Sequence, residues 1–186
     1  MNIDLSKTQQ YLDWLKTKLY LDARSKNAFK RVVKRGEVYW CELGQGVGSE
    51  ESKKRPCVVL QANQANVNSP NTLVAPITHT SSNLPVVIPI KERKKPNGEI
   101  LLDGHALIGN MVCISKGRLG DYILTLDTDE LKEIDKAIAI ATDIKRHYDK
   151  LEKMFKDKED YICKLKNKIS ILEKELEQQK VLDKSI

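Results

Sequence analysis

The sequence predicts a mainly β protein, a compact antiparallel barrel, with a helix added at its N-terminus and a long helix at its C-terminus. Three observations carry that prediction. Between Glu37 and Leu126 the apolar residues alternate or come in short runs, bounded by turn residues. On both sides of that stretch they recur every three or four positions instead. No helical segment alternates with the predicted strands, which argues against a parallel α/β sheet.

The elements follow in order. Residues 5–34 read as helical. Ser6 and Gln9 have capping-box spacing, with Leu5 as the staple residue before the cap. Leu12, Leu15 and Leu19 form an apolar face beside Tyr11 and Trp14, and Phe29, Val32 and Val33 resume it after a polar interruption at Asp22–Asn27. Strands are predicted at 37–43, 56–62, 72–78, 85–90, 110–115 and 122–126, with a short one at 100–102. Gly44–Lys54, Asn66–Asn71, Pro96-Asn97-Gly98 and Lys116–Asp121 separate them. Pro-Asn-Gly is a turn for a physical reason, since Pro presets φ and Gly tolerates positive φ.

At Asp127 the period changes again. Asp127 and Glu130 have capping-box spacing and Leu131 opens a helix whose apolar face is Ile134, Ile138 and Ala141. No Gly or Pro follows Gly120, so one uninterrupted helix is expected. A seven-residue register then runs for about five heptads, from Ile144 to Gln179. One seam position holds Ile144, Leu151, Lys158, Leu165, Leu172 and Gln179; the other holds Tyr148, Phe155, Ile162, Ile169 and Leu176. Nine of these eleven are apolar, the pattern of a coiled coil. The organisation expected is a basic helical extension over 1–34, a β-barrel over 35–143 and a long helix, a coiled-coil strand, over 144–186.

The chain has 186 residues and a net charge of +6, unevenly spread. Residues 1–35 carry +6, residues 36–143 carry −3 and residues 144–186 carry +3. Basic flanks attract phosphate backbones. No apolar run reaches the ~18–20 residues of a membrane span, and MNIDLSKTQQ lacks a signal-peptide core. Cys41, Cys57, Cys113 and Cys163 form no C-x-x-C pair, which fits reduced thiols in a cytoplasm better than disulfides or structural zinc. His79, His105 and His147 show no metal-ligand spacing, so neither metal nor other cofactor is expected. The glycines of Gly44-Gln-Gly-Val-Gly48 do not precede a helix, as a phosphate loop requires, and no G-x-S-x-G elbow occurs.

Two segments remain as candidates for chemistry. Gly48-Ser-Glu-Glu-Ser-Lys-Lys-Arg55-Pro56 ends a loop and enters an apolar strand. Pro56 is tolerated at a strand start, which holds Arg55 at the barrel mouth. A guanidinium there can grip a phosphate through two parallel hydrogen bonds, and Lys53 and Lys54 add positive field. Ala75-Pro76-Ile77-Thr78-His79 ends another strand with a hydroxyl and an imidazole together.

These two groups, in this order, resemble the MazF/PemK family of toxin ribonucleases. The likeness begins at Arg35-Gly36-Glu37-Val38-Tyr39-Trp40 and continues through Gly48-Ser49-Glu50, Arg55-Pro56 and Ala75-Pro76-Ile77-Thr78. It ends with Asn110-Met111-Val112 and Arg118-Leu119, and weakens toward Ile144. The resemblance implies a small SH3-like barrel of the MazF/CcdB type that forms a homodimer. It also implies a sequence-specific endoribonuclease that cuts single-stranded RNA without a metal and is blocked by a cognate antitoxin. Arg55 and Thr78 match the family's catalytic pair, and Glu50 matches a loop glutamate implicated in some members. Glu50, then His79, are the candidate bases for the 2′-OH. Ser49, Lys53, Lys54, Asn110 and Arg118 are expected to contact RNA. The segment Asn110-Met-Val-Cys113 departs from the family's usual Gln-Ile-Arg-Thr and lacks its arginine. Two other readings compete: a CcdB-like toxin that inhibits gyrase by contact, and a non-catalytic adaptor in which the coiled coil is the working part.

Overall fold

The structure, a computed structural model, describes residues 4–183. Its element order is α1 (Leu5–Arg24), β1 (Glu37–Glu42), β2 (Lys54–Val59), α2 (Asn63–Asn68), β3 (Asn71–Thr78), β4 (Val87–Lys94), β5 (Ile100–Leu107), β6 (Val112–Ser115), β7 (Leu119–Thr125), α3 (Thr128–Ala141) and α4 (Ile144–Asp183). The strands form one curled antiparallel sheet in the order β4-β5-β3-β2-β1-β7, with β6 paired to β3. β3 holds the sheet together. One edge pairs with β2, while the other pairs with β6 at residues 71–74 and with β5 at residues 77–78. The chain divides into two compact units, Met1–Thr142 and Asp143–Ile186.

Alternation along the strands buries both faces of the sheet. Val38, Val58, Ala75 and Ile77 face one cluster, which α3 completes with Ile134 and Ala137. Tyr39, Cys41, Cys57 and Val59 face the other, with Val33, Ile114 and Leu119. Each fully buried Val or Ile contributes about 1.5–3 kcal/mol.

α3 starts as the sequence predicts. Asp127 and Glu130 form a reciprocal capping box. Glu130 also takes both guanidinium nitrogens of Arg93, at 2.6 and 2.5 Å, and the Lys91 amide at 2.9 Å. The helix N-terminus is thereby fixed to β4.

Several sequence expectations are corrected. The N-cap of α1 is Asp4, whose carboxylate accepts from the Ser6 and Lys7 amides at 2.9 and 3.2 Å, so Ser6 lies inside the first turn. A carboxylate there also meets the positive end of the helix dipole. The helix stops at Arg24 and gives way to a 3-10 segment, Ser25–Lys30, short of the expected 34. Leu12, Leu15 and Leu19 face outward, while Trp14 packs on Gly44. Gly44 has φ +90, and a Cβ there would collide with the indole. Of the later apolar residues, Val33 is buried and Val32 exposed; the Phe29 side chain lies outside the described residues.

The single helix expected after Asp127 is two. α3 ends at Ala141, and Asp143 at φ +57 separates it from α4. Asp tolerates that left-handed conformation, so neither Gly nor Pro is needed for the break. β5 runs to Leu107, well past the short strand expected, because Asp103-Gly104 continues the ladder. α2 was unexpected, as its Asn-rich stretch reads as loop. Among the described residues no helix is long and apolar enough to cross a membrane.

Candidate active site

Arg55 and Thr78 meet because β2 and β3 pair antiparallel, with Val58 opposite Ala75 and Cys57 opposite Pro76. The same register carried outward sets Arg55 against Thr78. The Arg55 Nη1 group donates to Thr78 Oγ1 at 3.4 Å. Its Nε donates to the Ser52 carbonyl at 3.0 Å and lies 2.9 Å from Glu51 Oε2. The guanidinium is thus held from behind, with its terminal nitrogens at the strand ends. An oriented cation of this kind needs little reorganisation when charge develops on a ligand.

The two residues line a cleft of about 430 Å³ with Trp40, Lys54, His79 and Asp103. The His79 Nε2 atom lies 2.9 Å from Asp103 Oδ1. β3 and β5 approach closely there because Gly104 has φ +106 and no side chain; a Cβ would come within 2.5 Å of the Thr78 carbonyl oxygen. The imidazole is mostly exposed and Asp103 half-buried, so the ring stands at the cleft mouth with one nitrogen fixed.

A second cleft, of about 420 Å³, holds Ser49, Glu50, Glu51, Asn110 and Arg118. Glu50 is turned into its own loop, where its carboxylate accepts from the Val47 amide at 2.9 Å. The Arg118 guanidinium lies 5.1 Å from the Trp14 ring centre, so α1 helps place it. Lys53 is on a different face, beside Asp13, Trp14 and Thr17 of α1, and adopts φ 68 to close the loop back on Gly44. Of the two lysines only Lys54 reaches the Arg55 cleft.

Sequence reasoning missed Glu51, Asp103 and Trp14 as site-shaping residues. Glu51 lies in the same motif as Glu50, and its four-residue distance from Arg55 was the available signal. Asp103 carried none, since it meets His79 only through strand pairing.

Beneath Arg55, the Cys57 thiol is held far above its usual range by its hydrogen bond with Cys41 and by burial, which removes it as a nucleophile. Among the described residues no three His, Cys, Asp or Glu side chains converge as metal ligands.

Both arginines of the basic cluster before β1 are tied into the fold. Arg31 donates to the Leu119 and Gly120 carbonyls and lies 5.1 Å over the Tyr39 ring. Arg35 donates to the Leu60 carbonyl and pairs with Asp135.

Comparison with known proteins now decides the family. The profile of the PemK-like, MazF-like toxin of type II toxin-antitoxin systems matches residues 34–142. The chain belongs to this family. Endoribonuclease EndoA of Bacillus subtilis (strain 168) is 36% identical to it over 112 residues, 59% of this chain and 94% of the relative. Among solved structures, MazF from Deinococcus radiodurans superposes with a TM-score of 0.51 at 17% identity, over 59% of this chain and 94% of that one. An endoribonuclease in complex with its cognate antitoxin from a Mycobacterial species gives 0.50 at 24%, over the same shares. At these identities the structural likeness speaks for the fold, a PemK/MazF-type curled sheet with helices. The matched region lies within the first compact unit, and α4 falls outside it.

Proposed function

We propose that this PemK/MazF-family protein is the toxin of a type II toxin-antitoxin pair and a sequence-specific, metal-independent endoribonuclease acting on single-stranded RNA in the cytoplasm. The observation that carries the reading is the Arg55–Thr78 pair, 3.4 Å apart at the mouth of a cleft. The curled sheet is read as an SH3-like barrel that dimerises and meets its antitoxin as its relatives do, and α4 as a coiled-coil strand.

RNA supplies its own nucleophile, the 2′-OH, so the protein has only to align it and stabilise charge. In the reaction the 2′-OH gives up its proton, the O2′–P bond forms, the P–O5′ bond breaks and the departing O5′ takes a proton from water, giving a 2′,3′-cyclic phosphate and a 5′-OH. Arg55 neutralises the negative charge that grows on the non-bridging oxygens, and the Thr78 hydroxyl donates to one of them. Lys54 adds field at the same cleft.

The proton of the 2′-OH needs an acceptor. His79 shares the cleft with Arg55 and Thr78, and its Nε2–H is engaged by Asp103, which leaves Nδ1 as the accepting atom. The Glu50 carboxylate is already committed to the Val47 amide in the neighbouring cleft. This favours His79 as base and gives Glu50 the task of shaping the loop. Ser49, Asn110 and Arg118 line that second cleft, where they would read the RNA on one side of the scissile bond. Lys53 adds long-range field only.

The test is cleavage of a long single-stranded RNA by the purified protein in EDTA. Arg55→Ala and Thr78→Ala should each lose at least tenfold, roughly 100-fold if each donor is worth ~3 kcal/mol in the transition state. Cleavage that depends on Mg²⁺, or unaltered activity in both variants, overturns the reading.

A further inference from the structure

The PemK/MazF likeness leaves the second unit unaccounted for. α4 is a continuous helix of 40 residues, about 60 Å long at 1.5 Å per residue. Tyr148, Leu151, Phe155, Ile162, Leu165, Ile169, Leu172 and Leu176, the apolar residues of its heptad seam after Ile144, are all exposed. Within this chain's described residues the second unit is this helix alone, so nothing in its own unit covers the stripe.

We propose that α4 pairs in parallel and in register with α4 of a second copy of this chain. The choice of occupant and of direction comes from the side chains around the seam. Take Tyr148, Phe155, Ile162, Ile169 and Leu176 as the a positions and Leu151, Lys158, Leu165 and Leu172 as the d positions. β-Branched residues at a with leucine at d is the combination that selects two parallel strands, and it occurs in consecutive heptads at Ile162/Leu165 and Ile169/Leu172. In a parallel dimer each g residue faces the e residue five positions on in the copy. Lys168 then faces Glu173, Tyr161 faces Lys166, Met154 faces Glu159 and His147 faces Glu152, and no pair sets like charges together. In the fully overlapped antiparallel arrangement Glu152 meets Glu173 of the copy, a like-charge contact made twice that cancels the Glu159–Lys166 contacts of the same register, whereas in the parallel pair Lys168–Glu173 stands unopposed. Lys158 is the one charged d residue in this stretch. The parallel hole that receives it is bordered by Glu159 of the copy, so the lysine stem crosses the seam and its ammonium finds a carboxylate. A polar seam position of this sort fixes register at a cost in stability.

The pairing does not depend on the nuclease reading. It is tested by cysteine cross-linking in the full-length chain. The exposed Cys113 and Cys163 are first replaced by serine. Phe155→Cys and Ile169→Cys are then introduced separately, and Lys164→Cys, off the seam, serves as control. Under mild oxidation each a-position variant should form a disulfide-linked dimer at micromolar protein while the control does not. Identical a residues face each other at every height only in a parallel, in-register pair, whereas an antiparallel pair can bring together at most one of the two positions. Cross-linking at only one position, or at neither, overturns the proposal. A second measurement is independent of oxidation: Lys158→Leu should strengthen the dimer, lowering by at least tenfold the concentration at which it dissociates in analytical ultracentrifugation. An unchanged or weaker dimer counts against the assigned register.

Discussion

The sheet unit and the C-terminal helix handle apolar surface in opposite ways. In the first, alternation sends side chains to two faces, and both are covered by other parts of the same unit: Val38, Val58 and Ile77 beneath α3, and Tyr39, Cys57 and Val59 on the far side. In the second, a seven-residue repeat gathers its apolar residues into one stripe and leaves them exposed. A curved sheet with a helix across it can close on itself, whereas a straight rod cannot. The candidate site follows the same division. Arg55, Thr78 and Asp103 stand on strands whose undersides are packed, and His79 lies one residue past the end of β3. α4 instead presents a surface suited to recognition.

The contrast can be broken most forcefully in the core. Ile134 is fully buried between α3 and the sheet, and Ile134→Ala should destabilise the sheet unit by about 3–4 kcal/mol in denaturant titration. Leu165→Ala in α4 should leave that same transition in place, and a comparable loss would mean that the helix is part of the cooperative core.

A smaller effect concerns the join between the N-terminal extension and the sheet. Arg31 ties β7 through the Leu119 and Gly120 carbonyls while stacking on Tyr39. Arg31→Ala should cost about 1–3 kcal/mol, because two carbonyls lose a charged donor. If instead stability is unchanged and RNA affinity falls with a shallower salt dependence, Arg31 belongs to a phosphate-binding surface.

Smaller still is an acid-dependent term at the start of α3. The Asp127 carboxyl is held down to about 2, first by the Lys91 ammonium and then by the Glu130 amide. Its folded value lies below its unfolded one, so its contribution is complete above about pH 4 and disappears as pH falls through about 2. Lys91→Met should reduce the loss of stability across that window while changing little at pH 7. An identical acid limb in thermal melts of the variant would show that the pair is inert.

The smallest expected effect is on catalysis when α4 is removed. A chain ending at Ile144 retains the whole region matched by the toxin family and should cleave RNA within about twofold of the full chain under saturating substrate. A large loss would show that pairing of α4 is needed for the active state.

Much of the sheet unit was legible from local pattern. The strands at 37–42, 71–78 and 112–115 follow from alternation and β-branched content, and the α3 capping box is written in Asp127 and Glu130. What escaped had a common cause. Asp4 displaced Ser6 as the cap because either residue could fill that role, and only the helix start distinguishes them. The break at Asp143 uses a left-handed aspartate, which leaves no sequence mark as plain as glycine. The outward turn of Leu12, Leu15 and Leu19 was not readable because α1 docks through Trp14, and periodicity gives the stripe without saying which neighbour takes it.

The candidate site divides along the same line. Arg55 and Thr78 stand in short motifs at strand ends, so residue type and position along the chain made them candidates, and the family resemblance made them a pair. Glu51 behind Arg55 is a local contact four residues away, whereas Asp103 beside His79 depended on which strands became neighbours. By itself the sequence determined the strands, the heptad stripe and the cation with its hydroxyl, because these depend on side-chain type and spacing over a few residues. The tertiary structure alone decided that Asp103 holds the His79 ring and that the two share a cleft with Arg55 and Thr78, because β2, β3 and β5 are distant in sequence and only the pairing of the sheet brings their ends together.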